Sequence, residues 1–105
     1  MKDAELNQIS MTMLSQAGGK AKKNIQEALV VMEQSEADAD RVAEYLGNAH
    51  EALVEAHKAQ NRAIKHSDTL TYSLLFTHAQ DTLMNTEEGL FLVQHFIKII
   101  NNKLK

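Results

Sequence analysis

The sequence predicts an all-α fold, an antiparallel up-down-up three-helix bundle. Three observations carry this prediction. Proline is absent and only four glycines occur among 105 residues. Ala, Leu, Glu, Lys, Gln and Met, which enter a helix at least cost, are abundant. Apolar residues recur at steps of three and four along three successive segments. The length fits one domain, residues 1–105. A chain this short buries only a modest share of its surface, so association with further copies is a natural supplement.

The first helix is predicted over residues 3–33. Asp3 and Glu5 place negative charge at its N-terminus, where the helix dipole favours it. Leu6, Ile9, Met13, Ala17 and Ala21 form its apolar stripe, continued by Ile25, Ala28, Leu29 and Met32. Gly18-Gly19 interrupts the composition, since each interior glycine costs about 1 kcal/mol relative to alanine. A break into two short helices is one reading. The apolar phase runs across the pair, which favours one continuous helix with a bare patch where another backbone or a partner comes close.

The second helix is predicted over residues 36–66. Ser35 with Asp38 three positions later forms a start resembling a capping box. Ala39, Val42, Leu46, Ala49, Leu53, Ala56 and Ala63 then form one stripe, with Gln60 its polar member. The pattern lapses around KHSDTLT, where Ser67, Asp68, Thr69 and Thr71 are all suitable caps.

The third helix, residues 71–104, has the clearest periodicity. Tyr72, Phe76, Ala79, Leu83, Thr86, Leu90, Val93, Ile97, Ile100 and Leu104 form a sustained heptad. Beside it runs a second stripe, Leu75, His78, Thr82, Gly89, Leu92, Phe96 and Ile99. The combined face is wider than the other two helices can cover, which predicts self-association.

Several functions are excluded by composition. Without cysteine there is no disulfide, no thiolate metal site and no thiol nucleophile. The net charge of -3, with no basic stripe, disfavours nucleic acid. The N-terminus MKDAELNQIS does not read as a signal peptide and no segment is apolar enough to span a bilayer, so a cytoplasmic location is expected. No Gly-rich phosphate loop, G-x-S-x-G or H-E-x-x-H occurs, and no glutamate has a histidine three residues on, as di-iron bundles require.

Five histidines remain as chemistry-bearing residues. His66 falls in the polar connection and His95 on an exposed flank of the third helix, and both read as solvated. His50 and His57 share a face of the second helix with Val54 and Asn61; they can line a common site, although a hydrogen-bonded interfacial histidine is the commoner outcome. His78 differs, because Gln80 and Asp81 cluster with it on the flank of the heptad stripe. From spacing alone, a structural histidine bonded to its neighbour remains the commoner outcome.

Three ordered stretches change that balance. LSQAGGKAKKNIQEAL, EAHKAQNRAI and TYSLLFTHAQDTLM together resemble the enzyme IIA component of the lactose/cellobiose family of the bacterial phosphoenolpyruvate-dependent sugar phosphotransferase system. The resemblance implies a three-helix protomer assembling into a homotrimer of nine helices. It implies a phosphoryl carrier that accepts phosphate from HPr on a histidine and passes it to a cysteine of enzyme IIB. His78 matches the phosphorylated histidine. Asp81 matches the acidic residue gathered at the threefold axis, where a divalent metal ion such as magnesium binds. His57 matches the EAH motif, as a second-shell candidate.

One departure stands out: members of the family often have a second histidine directly after the aspartate, where this chain has Thr82. Threonine does not titrate near neutral pH, so no acid-base work falls to it. A neutral imidazole is a competent nucleophile towards phosphorus, and Gln80 amide groups suit phosphate positioning. The Gly18-Gly19 patch is expected to leave room above His78 for a partner protein. The competing expectation is a structural or regulatory bundle in which His78 and Asp81 bond internally.

Overall fold

A computed structural model describes residues 2–66 and 73–103. Those residues are all-helical, without a strand, and form an elongated three-rod body 54 × 19 × 18 Å in extent. The expected caps Ser67, Asp68, Thr69 and Thr71 and the heptad positions Tyr72 and Leu104 lie outside the described residues.

Helix one is continuous but not uniform. It runs as α-helix over Asp3–Met13, as π-helix over Leu14–Ala21 and again as α-helix over Lys22–Met32. The glycine pair therefore does not break the rod; it lies inside the π-wound turns. The buried residues Met13, Ala17, Ala21 and Ile25 follow at steps of four. Three such steps would drift roughly 120° around an α-helix of 3.6 residues per turn. The wider i→i+5 turn absorbs that drift and keeps the four on one face. Where α winding resumes, burial moves to Ala28 and Val31, and the predicted Leu29 is 38% exposed. Ser10 is buried within the stripe, its hydroxyl donating to the Leu6 carbonyl at 2.8 Å.

Helix two spans Ala39–Ile64. Its N-cap is Asp38 rather than Ser35: one carboxylate oxygen accepts from the backbone N–H of Asp40 at 3.0 Å and Arg41 at 3.2 Å. This satisfies two donors that the helix start leaves unpaired, and it moves the start three residues beyond the predicted one. Val42, Leu46, Ala49, Leu53, Ala56 and Ala63 are buried as predicted. Ala39 is exposed, Gln60 is half-buried, and Ala52 and Ala59 join the core. The alanines let helix one lie close along this face.

Helix three spans Leu74–Lys103. Ser73 precedes it and its hydroxyl accepts from the Phe76 N–H at 3.1 Å, the role predicted for the neighbouring threonines. Phe76, Ala79, Leu83, Thr86 and Leu90 are buried, while Val93 and Ile97 are partly covered and Ile100 is exposed. Helix three packs on Asp3–Met13 and Leu14–Ala21 and only slightly on Lys22–Met32. The bundle thus opens towards that end, leaving an apolar cleft among Met32, Val42, Leu46, Ile97 and Ile100.

Candidate functional site

Helix three positions the predicted site residues. His78 and Asp81 are exposed, and Gln80 and Thr82 are half-buried. Spacings of three and four place His78, Asp81 and Thr82 together on one surface. No hydrogen bond or ion pair joins His78, Gln80 or Asp81 to another described side chain. Within one protomer His78 is open to solvent, and the internal His78–Asp81 bond of the structural reading does not form.

The stripe that carries His78 is the one helix three leaves uncovered. Leu75, Thr82 and Gly89 are half-buried, and Leu92, Phe96 and Ile99 are 48%, 56% and 51% exposed. Large apolar side chains aligned on one helical face and open to water mark an interaction surface.

Gly18 meets this region from helix one. A Cβ built there would lie 3.0 Å from Cγ2 of Thr82, whereas a Cβ at Gly19 meets nothing within 4 Å. The two glycines therefore differ. Gly18 accommodates a threonine methyl rather than leaving space over His78, and Gly19 opens to the surface. Thr82 also accepts, through its carbonyl, the Thr86 hydroxyl at 2.9 Å.

His57 takes a partner that spacing did not indicate. Its Nε2 lies 2.8 Å from Oε1 of Glu87, linking helix two to helix three. Glu87 is nine residues beyond His78, half a turn round the helix and roughly 13 Å along it. The structure thus seats His57 on the far side of helix three from His78. With side chains 44% and 41% exposed, the pair contributes at most about 1 kcal/mol. His50 and His66 are exposed, and the ring of His95 packs on Phe91 with centroids 4.1 Å apart.

Among the described residues no group of three or more His, Asp or Glu side chains could hold a metal ion. The Asp81 carboxylate has the hard oxygen donors that suit a divalent cation, but one carboxylate is far short of a coordination shell. A site there would need further ligands beyond the described residues of one protomer. No helix among the described residues is long and apolar enough to cross a membrane.

His78 is thus exposed and without a bonding partner among the described residues, which leaves its ring open to another protein. The model of the PTS system, lactose/cellobiose-specific IIA subunit family matches residues 8–101, and the chain belongs to that family. It is thus a phosphotransferase system component with a phosphotransfer role in sugar uptake. No curated protein and no solved structure matched the chain.

Proposed function

We propose that the chain carries a phosphoryl group on His78, accepting it from phospho-HPr and delivering it to a cysteine of enzyme IIB. The observation that carries the proposal is the exposure of His78, without a bonding partner among the described residues, inside the THAQD motif of a IIA-family chain. In the first step a ring-nitrogen lone pair of His78 attacks phosphorus. A new N–P bond forms as the donor's P–N bond breaks, and the donor imidazole keeps the bonding pair. In the second step the IIB thiolate attacks, an S–P bond forms, and the pair returns to His78. Such transfers need positioning more than covalent help from the protein, because charge spreads over three equatorial oxygens. The Gln80 amide, half-buried beside the histidine, is suited to that task. An open histidine also fits a carrier whose donor and acceptor must both reach it.

Assembly is the second part of the proposal. The exposed stripe Leu92, Phe96 and Ile99 supports a homotrimer, and Asp81 of each copy would contribute a carboxylate to a shared divalent ion, with magnesium the natural candidate. The ion would supply positive charge that offsets carboxylates brought together. The system would operate in the cytoplasm, with HPr and IIB as its partners.

Incubation with phosphoenolpyruvate, enzyme I and HPr tests the carrier role. The chain should gain one acid-labile phosphate by mass, and His78→Ala should gain none. Loss of the gain in both, or its persistence in His78→Ala, rejects the proposal in favour of an interaction or regulatory bundle. Asp81→Asn should lose bound metal and weaken the trimer yet remain phosphorylatable. Unchanged metal content and trimer stability would refute the assembly role.

A further inference from the structure

The outward face of helix three carries a second heptad, opposite the buried one. Asp81, Asn85, Glu88, Leu92, His95 and Ile99 alternate steps of four and three, and all six are exposed. Phe76, Ala79, Leu83, Thr86 and Leu90 take the other side of the same helix and are buried against helices one and two. A heptad that faces water is a seam for identical neighbours. Leu92 and Ile99 are its apolar layers, and Asp81, Glu88 and His95 share its other position at intervals of seven. With helix three along a threefold axis, cyclic symmetry brings the three copies of each seam residue to one level.

Within the seam, His95 has the geometry of a ligand. Its Nδ1 lies 3.0 Å from the Phe91 carbonyl oxygen. That oxygen can only accept, so Nδ1 carries the proton and the neutral ring keeps its lone pair on Nε2. The ring also packs on Phe91 with centroids 4.1 Å apart, which holds its orientation. Metal-ligating histidines adopt this arrangement, one nitrogen donating to a carbonyl and the other left free. The charge pattern adds a second reason. Three Asp81 and three Glu88 carboxylates brought to the axis repel one another. Glu88 lies midway between Asp81 and His95, about 10 Å along the helix from each. A cation in the His95 layer, with one in the Asp81 layer, brackets it with positive charge.

We propose that His95 of three copies forms a metal site on the axis, in which three Nε2 atoms and a water hold a borderline divalent cation of the zinc type in a tetrahedron. The inference rests on the proposed homotrimer. Nitrogen donors set the site apart from Asp81, whose oxygens suit a hard cation, and the two layers stand two heptads or about 21 Å apart. Its effect is to clamp the outward half of helix three, where Leu92, Phe96 and Ile99 are exposed, to its counterparts.

The test is calorimetric titration of the full chain with zinc chloride in excess magnesium, which the proposed Asp81 site takes up. One zinc should bind per three chains, and cobalt in its place should show the visible absorption of a tetrahedral site. His95→Ala should weaken zinc binding by more than about 100-fold, beyond the loss that a missing second-shell partner causes. Because His95 is exposed, the thermal midpoint of the zinc-free variant should be unchanged. Equal zinc binding by His95→Ala, a stoichiometry of one zinc per chain, or an octahedral cobalt spectrum each overturns the proposal. Sedimentation scores the homotrimer separately. A trimer that binds no zinc overturns the His95 site alone, whereas a chain that stays single with and without zinc overturns the homotrimer and the site with it.

Discussion

The two halves of helix three carry the same apolar spacing and meet different environments. From Phe76 to Leu90 the stripe is buried against helix one and helix two. From Phe91 onwards Val93 and Ile97 are only partly covered, and Leu92, Phe96, Ile99 and Ile100 are 46–56% exposed. The first half is occupied in holding its own chain together. The second presents apolar surface that nothing among the described residues covers, and His78 and Asp81 lie on the same outward stripe. A heptad states that a face needs a partner; it does not say whether that partner is the same chain or another copy.

Substitutions that separate the halves put this contrast at risk. The largest effect belongs to the docked half: Leu83 is fully buried, and Leu83→Ala should cost about 2–5 kcal/mol in denaturant unfolding. A cost below about 1 kcal/mol would mean that this half is not packed as described. In the outward half, if the proposed homotrimer forms, Phe96→Asp should leave helicity intact while sedimentation shows single chains at micromolar concentration. An unaltered mass would place the association surface elsewhere.

A smaller effect distinguishes the two glycines. Gly19→Ala meets open space and should stabilise by up to about 1 kcal/mol through helix propensity. Gly18→Ala brings its methyl against Thr82 Cγ2 and should lose that gain, recovering it in a Thr82→Ser background where the opposing methyl is gone. Equal gains at both positions would deny the close approach of helix one to helix three. The His57–Glu87 pair should give the smallest value, a double-mutant coupling below about 1 kcal/mol that fades with salt.

Much of this was legible in the residues. The stripes of helix two and of the first half of helix three were read nearly position for position, because burial of one helical face imposes its period on the sequence. The continuity of helix one through Gly18-Gly19 was readable from its unbroken phase. Its π winding left a signal too, in the run of fours from Met13 to Ile25, which an α-helix cannot keep on one side. The start of helix two was misread because Ser35 and Asp38 both suit a cap, and only backbone geometry selects the residue whose oxygen reaches two free N–H groups.

The candidate site divides along the same line. The THAQD motif identified His78, Gln80 and Asp81 through family resemblance, and the shared face of His78 and Asp81 follows from helical spacing. By itself the sequence determined three amphipathic helices, the excess apolar width of the third and the residues that carry the motif, since each follows from local periodicity and side-chain chemistry. Only the tertiary structure decided that His57 pairs with Glu87, that Thr82 rests on Gly18 and that helix three diverges beyond that contact to open the apolar cleft at Met32. Those features depend on the distance and register between helix axes, which small residues on several elements set together and no single stretch of chain encodes.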